Sequence, residues 1–310
     1  MSNNIFKVSI VVPTLNEESN IEKLVSTLKP ILKLYNDYEI IFVDDGSTDN
    51  TLRTISEMRR LDNRIKYISF SRNFGHQNAL RAGMQYVSGD CMISMDADMQ
   101  HPPELIPKLV DKWQEGYKIV YTVRKDSQSG SFFKRKTSDI FYNILSKLSN
   151  VKVPKGAADF RLLDSEVVKI ISNLSENTLF LRGLIAWLGF DQFAIKYQPG
   201  ERFAGHTKYS LRKMISLALN GITSFSIKPL RLATFFGLII AVISFTYGIY
   251  AIYLKLFTEK AISGWTSVLV SVLFLSGIQL ITFGIMGEYI GKLFIESKGR
   301  PSYIIKEKKL

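Results

Sequence analysis

The stretch that decides the fold is CMISMDADMQHPP, residues 91–103. Its first half, residues 91–95, is an apolar run typical of a buried β-strand, and the run ends in Asp96 and Asp98. In extended backbone, alternate side chains point to the same side, so both carboxylates are predicted to reach one cation past the small Ala97. The sequence therefore predicts a strand whose carboxyl end forms part of a ligand site.

Short β-branched runs alternate with amphipathic helical stretches on both sides of this strand. The predicted strands are 8–12, 38–43, 65–70, 91–95 and 118–123, and the predicted helices are 18–34, 51–61, 77–87 and 103–114. Repetition of strand and helix predicts an α/β fold with a mainly parallel sheet covered on both faces.

Polar segments follow four consecutive predicted strands. They read PTLNEE from Pro13, DDGSTD from Asp44, SRNFG from Ser71 and DADMQH from Asp96. Sheets of this kind bind ligands at the carboxyl ends of their strands. The four segments are therefore predicted to meet in one site.

The acidic segment favours a divalent cation. Residues 90–107 contain four carboxylates and neither lysine nor arginine, although the chain has a formal net charge of +12. Hard oxygen ligands suit Mg²⁺ or Mn²⁺, and a metal with open positions usually binds substrate phosphates. Turn chemistry is the alternative explanation of an isolated Asp-x-Asp. Four basic residues are candidates for further phosphate contacts or are simply solvated charges: Arg124, Lys134, Arg135 and Arg161.

Two long segments without charged residues, 232–254 and 261–287, lie near the end of the 310-residue chain. Each is long enough to cross a bilayer as a helix, although two buried helices of a soluble core are the alternative. Lysines and arginines flank both segments on their outer sides, so both termini are expected in the cytoplasm. No signal peptide is expected at the start, and the lone Cys91 excludes an intramolecular disulfide.

Two basic amphipathic stretches, 132–148 and 211–225, are predicted to lie on the membrane surface or to pack on the domain. The expected organisation is a cytosolic catalytic domain over 1–205 that includes helix 132–148, and a juxtamembrane helix over 206–229. A transmembrane hairpin over 230–293 and a basic cytosolic tail over 294–310 follow.

The chain resembles the family 2 glycosyltransferases that load polyprenyl phosphates, such as bactoprenol glucosyltransferases and dolichyl-phosphate mannose synthases. The resemblance is carried by SIVVPTLNEE, VDDGSTD, SRNFGHQNALRAG, MDADMQHPPE, RFAGHTKYS and, after the two apolar segments, GEYIGKLFIESKGRPSYII. It implies a GT-A type nucleotide-sugar-binding domain.

The resemblance also implies roles for individual residues. Asp96 and Asp98 would hold the metal and the diphosphate, with Gln100 as a further ligand, and Asp159 would face the sugar and the acceptor. The resemblance places the nucleoside near Pro13, Leu15, Glu17, Asp44, Asp45 and Arg72. It places the acceptor phosphate near Arg202, Lys208 and Tyr209. From the residues alone, Asp44 could be only a turn residue, and Asp159 could be only the partner of Arg161. No histidine is assigned a catalytic role.

The implied activity is inverting, metal-dependent transfer of a sugar to polyprenyl phosphate at the cytosolic face of the plasma membrane. The expected partners are a nucleotide sugar, with UDP-glucose favoured, the lipid phosphate and the membrane. GDP-mannose, UDP-N-acetylglucosamine and an aminoarabinose donor are alternatives. The oligomeric state stays open, including a homo-oligomer.

Three other protein classes fit less well. A processive polysaccharide synthase usually carries a Q-x-x-R-W segment, and residues 182–190 lack the arginine before Trp187. A non-enzymatic membrane protein with a degenerate transferase domain is disfavoured by the intact acidic pair. Nucleic-acid binding is not expected, because much of the positive charge flanks the apolar segments.

Overall fold

The computed structural model describes residues 6–124, 156–174, 176, 180–198, 223, 226–257 and 264–310. In chain order, the elements of the first half are β1 Lys7–Thr14, α1 Glu18–Leu32, β2 Asp37–Asp44, α2 Thr51–Leu61, β3 Ile65–Phe70, α3 His76–Tyr86, β4 Cys91–Ser94, a 3₁₀ turn Pro103–Leu105, α4 Ile106–Gln114 and β5 Ile119–Arg124. After these come β6 Ala157–Asp164, α5 Ser165–Asn173, α6 Leu181–Trp187, β7 Gln192–Tyr197, α7 Lys228–Phe257, α8 Trp265–Ser297 and β8 Ile305–Lys309.

The eight strands of the described residues belong to one sheet, in the order β7-β5-β6-β4-β1-β2-β3-β8. Strand β6 runs antiparallel to both of its neighbours, and β8 runs antiparallel to β3, whereas the other pairs are parallel. The predicted α/β fold with a mainly parallel sheet is therefore confirmed.

The sheet is buried on both faces, as expected of parallel strands connected by helices. Along β1, Ile10 and Val12 belong to the core on one face and Val11 to the core on the other. Helices α1 and α4 cover the first face, while α3, α5 and α6 cover the second. This double burial explains why the first strands read as continuous apolar runs.

The sequence predicts the first five strands and four helices to within a few residues. The predicted helix 103–114 is divided between the 3₁₀ turn and α4. Strands β6, β7 and β8 and helices α5 and α6 were not predicted.

Helices α7 and α8 are long and apolar enough to cross a membrane over Lys228–Leu254 and Val270–Ser297, and their apolar windows are not buried in protein. They contact each other, and the Tyr289 hydroxyl donates to the Ser226 carbonyl oxygen at 2.6 Å.

The chain returns to the sheet after the hairpin. In the segment expected to be a separate basic tail, Ile305–Lys309 pairs with β3 as an edge strand. The lysine-rich segment is held by tertiary contacts, because Ile305 packs on the core and Tyr67 donates to the Glu307 carboxylate at 2.6 Å.

Candidate active site

The carboxyl ends of the central strands surround one cavity of about 300 Å³. The register places Thr14 beside Asp44 and Asp44 beside Ser69, so the polar segments that follow these strands begin at one level of the sheet. The residues that line the cavity include Pro13, Leu15, Glu17, Asp45, Asn73, Gly75, His76, Asp96 and Asp98. The structure thus brings together residues from all four segments that the sequence singled out.

The first two segments are joined by hydrogen bonds. Asn16, with φ 56°, accepts from the Thr48 backbone N–H through its side-chain oxygen at 2.8 Å, and its own N–H donates to the Ser47 hydroxyl. The Glu17 backbone N–H donates to the Thr51 hydroxyl at 2.8 Å. These bonds fix the entrance of the cavity where Leu15 and Glu17 lie.

Asp44 and Asp45 have different surroundings. Asp44 is buried, and it accepts from the Ser69 hydroxyl at 2.9 Å and from the Ser47 backbone N–H at 3.1 Å. Asp45 lines the cavity and accepts from the backbone N–H groups of Phe74 at 2.6 Å and Gly75 at 2.9 Å. Asp44 thus has the turn-forming bonds that the alternative interpretation predicted, whereas Asp45 anchors the third segment.

Burial raises the pKa of Asp45 above its ordinary value, although the two backbone N–H groups oppose that shift.

Between the second and third segments, the backbones pack without space for a side chain. Gly46 has φ +74°, and a β-carbon there would lie 2.5 Å from the Arg72 carbonyl carbon. A glycine is therefore required at this position.

Arg72 is exposed beside this packed backbone. Its guanidinium carbon lies 4.0 Å from the centroid of the Phe74 ring, and the guanidinium also donates to the Asn73 carbonyl oxygen at 3.0 Å. The ring and the carbonyl restrain the planar cation on the same loop that Asp45 anchors. Asn73 and Gly75 of that loop line the cavity, whereas Arg72 does not.

The Asp-x-Asp segment differs from the extended backbone that the sequence analysis assumed. Strand β4 ends at Ser94, Ala97 and Asp98 lie in a turn, and Met99 has φ 62°. The Asp98 carboxylate accepts the Gln100 backbone N–H at 3.1 Å. Both aspartates line the cavity, so the turn achieves the convergence that was predicted from strand alternation.

Two histidines contact Asp96, which is a finding that the sequence analysis missed. His76 Nε2 lies 2.9 Å from Asp96 Oδ1. His101 Nδ1 accepts the Asp96 backbone N–H at 2.9 Å, and its ring stacks on Phe160 at 5.2 Å between centroids. His76 lies 20 residues before Asp96, whereas His101 lies five residues after it, and neither spacing predicts the contact.

Burial raises the pKa of Asp96, but His101 and His76 outweigh it, so the net shift is downward and the carboxylate stays ionised. Its side chain keeps 37 % of its surface exposed.

These residues fit a divalent cation that is completed by a substrate. Among the described residues there is no group of three or more His, Cys, Asp or Glu side chains arranged to hold a metal alone. A pair of carboxylates beside an open cavity is instead the arrangement by which Mg²⁺ or Mn²⁺ binds substrate phosphates. Arg124 donates to the Gln100 side-chain oxygen at 2.7 Å and so places a cation next to the acidic turn.

Asp159 lies on β6, and two arginines bind it. Arg182 on α6 forms a bidentate pair with its carboxylate, with distances of 2.9 and 2.7 Å, and Arg161 donates to it at 3.1 Å. Ser94, at the end of β4, donates to the Asp159 carbonyl oxygen. Burial raises the pKa of Asp159, but the positive charges of Arg182 and Arg161 outweigh it and hold that pKa well below its usual range.

The predicted pairing of Asp159 with Arg161 is therefore present, and Arg161 is buried rather than a solvated charge. Arg182 was not predicted, because a single arginine in the segment RGLIAWLGF has no spacing signal that links it to Asp159, 23 residues away.

Part of the predicted site lies outside the described residues. This applies to Lys134, Arg135, Arg202, Lys208 and Tyr209, to helix 132–148 and to most of the juxtamembrane helix over 206–229, of which only residues 223 and 226–229 are described.

Two sequence profiles match the chain. One is described as Glycosyl transferase family 2 and matches residues 9–171, and the other is described as GtrB C-terminal hairpin and matches residues 228–293.

The chain is similar over nearly its full length to curated bacterial and phage proteins. "Uncharacterized glycosyltransferase YkcC" of Bacillus subtilis (strain 168) is 45 % identical over 300 residues, which are 96 % of this chain and 93 % of that protein. "Bactoprenol glucosyl transferase" of Shigella phage SfV is 44 % identical over 305 residues, which are 98 % of this chain and 99 % of that protein.

A solved structure resembles the chain more distantly. Glucosyl-3-phosphoglycerate synthase from Mycobacterium tuberculosis, in complex with Mn²⁺, UDP and glucosyl-3-phosphoglycerate, aligns with a TM-score of 0.47 at 21 % identity. The alignment covers 71 % of this chain and 78 % of the mycobacterial chain.

Proposed function

Because the chain belongs to glycosyl transferase family 2, we propose that it transfers a sugar from a nucleotide sugar to polyprenyl phosphate at a membrane. The observation that carries this proposal is the cavity in which Asp45, Asp96 and Asp98 meet at the carboxyl ends of the strands. The name of the phage relative, bactoprenol glucosyl transferase, supports glucose as the sugar and a polyprenyl phosphate as the acceptor. We therefore propose UDP-glucose as the donor.

The donor is proposed to lie along the cavity with its nucleoside towards β2 and β3. Pro13, Leu15 and Glu17 would contact the nucleoside from one side, and Asp45 and Arg72 from the other. Asp44 would support the nucleoside site indirectly, since both of its carboxylate oxygens already accept hydrogen bonds within the fold.

The diphosphate is proposed to lie at the acidic turn. Asp96 and Asp98 would hold Mg²⁺ or Mn²⁺, with Gln100 as a further ligand. Arg124, which donates to the Gln100 side-chain oxygen at 2.7 Å, would lie beside the diphosphate. When bound, such a cation neutralises the charge that develops on the departing nucleoside diphosphate.

The chemistry requires no strong general base. The second pKa of a phosphate monoester is about 6, so the lipid phosphate is mostly ionised near neutral pH. Asp159 is a weak base, because Arg182 and Arg161 stabilise its ionised form. We propose that it orients the acceptor and the arginines rather than accepting a proton.

The step is a single in-line displacement. An oxygen of the lipid phosphate forms a bond to the anomeric carbon, while the bond from that carbon to the diphosphate breaks and its electron pair leaves with the nucleoside diphosphate. No proton is transferred, and the configuration at the anomeric carbon inverts. An α-linked donor is therefore expected to give a β-linked product, and a product with retained configuration would refute this mechanism.

The hairpin gives the site access to a lipid acceptor. Helices α7 and α8 are proposed to cross the membrane, with the sheet domain and both termini on the cytosolic side. The basic amphipathic segments would seat the domain at the headgroups. Arg202, Lys208 and Tyr209 are the proposed ligands of the acceptor phosphate, and Arg135 is a candidate for a further phosphate contact.

Transfer of radiolabel from sugar nucleotide to lipid tests the function directly. Purified protein in detergent is given undecaprenyl phosphate, Mn²⁺ or Mg²⁺ and a panel of labelled UDP- and GDP-sugars, and the label is counted in the organic phase. We expect label from UDP-glucose that disappears without metal or with Asp98→Ala. Asp111→Asn, which changes an exposed carboxylate on α4, is the control and should retain activity.

Label from a different sugar nucleotide would support lipid glycosylation and correct the donor. The absence of label from every donor, in protein that still binds a nucleotide, would refute the proposed acceptor.

A further inference from the structure

Tyr303 connects the hairpin to the sheet at a position that no part of the proposed chemistry uses. It lies between α8 and β8, and its ring stacks on Phe70 with 4.9 Å between centroids and 17° between planes. Its hydroxyl donates to the Gln85 side-chain oxygen, and the Ser71 backbone N–H donates to the Ile304 carbonyl oxygen at 3.0 Å. Burial raises the pKa of Tyr303 to about 12, so the hydroxyl remains a neutral donor.

The contact continues from Phe70 into the nucleoside end of the cavity. Phe70, which is almost completely buried, meets Phe74 edge to face at 5.7 Å. The Phe74 backbone N–H donates to Asp45, and its ring lies against the Arg72 guanidinium at 4.0 Å. Two ring contacts thus connect Tyr303 to Phe74, which contacts both Asp45 and Arg72, two of the residues proposed to receive the nucleoside.

We propose that Tyr303 is a positioning residue for nucleotide binding. Its ring supports Phe70, and Phe70 in turn supports the loop that presents Asp45 and Arg72 to the donor. Stacked rings hold one another in a restricted geometry, so loss of the Tyr303 ring increases the conformational freedom of Phe70 and Phe74. Nucleotide binding must then restrict that freedom, which lowers the affinity.

The inference rests on the proposed function and specifies one part of it. The acidic turn follows β4, whereas Tyr303 packs at the opposite edge of the parallel core, beside β3 and β8. The effect should therefore fall on nucleotide affinity and on KM for the donor, and not on kcat.

The test compares three variants of the full-length protein in the same detergent. Tyr303→Ala removes the stacked ring, and Tyr303→Phe keeps the ring but loses the hydroxyl. Tyr86→Ala is the matched control, because its ring contacts β8 at Lys308, with 4.5 Å from Nζ to the ring centroid, outside the Phe70–Phe74 chain. For each protein, calorimetry gives the Kd of UDP or GDP, whichever the parent binds, and the transfer assay gives KM and kcat.

We expect Tyr303→Ala to raise both the nucleotide Kd and the donor KM by roughly three- to tenfold, with kcat within about twofold of the parent. Tyr303→Phe and Tyr86→Ala should keep a Kd close to that of the parent. If Tyr303→Ala does not fold, Tyr303→Leu is measured against the same criteria.

Equal changes in Kd for Tyr303→Ala and Tyr86→Ala, or a loss confined to kcat, would overturn the proposal. A parent that binds nucleotide but transfers no sugar would count against the proposed function alone, since calorimetry still tests Tyr303.

Discussion

Replacement of Gly46 by alanine tests the packing of the nucleoside loops. The backbone at Gly46 has φ +74°, and a β-carbon would lie 2.5 Å from the Arg72 carbonyl carbon and 2.8 Å from the Asn73 nitrogen. Left-handed backbone costs a non-glycine residue about 1–2 kcal/mol, and forcing a methyl group into filled space costs about 1–3 kcal/mol. Both obstructing atoms belong to the backbone and cannot rotate away. Gly46→Ala is therefore expected to lower the free energy of unfolding by about 2–5 kcal/mol.

Gly189 provides a matched control, because it has φ +75° and no atom within 4 Å of an added β-carbon. Gly189→Ala should cost about 1–2 kcal/mol, from the backbone conformation alone. Thermal unfolding of both variants in one detergent measures the difference in stability, and calorimetry with UDP measures the effect on the site. We expect weaker UDP binding in Gly46→Ala only, because the loop carrying Arg72 must move. Equal losses of stability in the two variants, with UDP affinity unchanged in both, would refute this account of the loop contact.

Two further predictions concern Asp159 and Asp96. Asp159→Asn leaves Arg161 and Arg182 without their anionic partner and should lower the free energy of unfolding at pH 7 by roughly 3 kcal/mol. The folded-state pKa of Asp159 is depressed, so its contribution to the free energy of unfolding is present above the unfolded pKa of about 4 and is lost progressively as the pH falls further. The free energies of unfolding of parent and variant should therefore begin to converge below about pH 4. A difference between them that stays constant from pH 7 to pH 3 would contradict this. His76→Ala removes a donor to Asp96 and should lower kcat/KM by roughly tenfold, whereas His76→Gln, whose amide can donate to the same oxygen, should recover most of it. Equal losses in the two His76 variants would exclude a positioning role through Asp96.

The first half of the fold could be predicted because its strands are buried on both faces and its helices carry regular apolar stripes. Strands β6 to β8 were missed for different physical reasons. The apolar run of β6 is interrupted by Asp159 and Arg161, which pair with each other only once the chain has folded. Strand β8 is mostly lysine and glutamate and has little intrinsic preference for a strand, so its structure depends on the unpaired edge of β3.

The predictions for the site divide in the same way. Asp45, Asp96 and Asp98 could be assigned to one cavity because parallel strands end at one edge of the sheet. His76 and Arg182 could not, because each reaches its carboxylate through the packing of a helix against the sheet. The correct convergence of Asp96 and Asp98 was also predicted for a wrong reason, since a turn and not extended backbone brings them together.

The position of β8 after the hairpin has a consequence for biosynthesis. Translation releases β1 to β7 first, then α7 and α8, and β8 last. Until β8 has been made, the edge of β3 has unpaired backbone groups, and an open edge of this kind is prone to pair with other chains. Synthesis of the hairpin therefore precedes completion of the sheet, and the nascent domain exposes this edge during that interval.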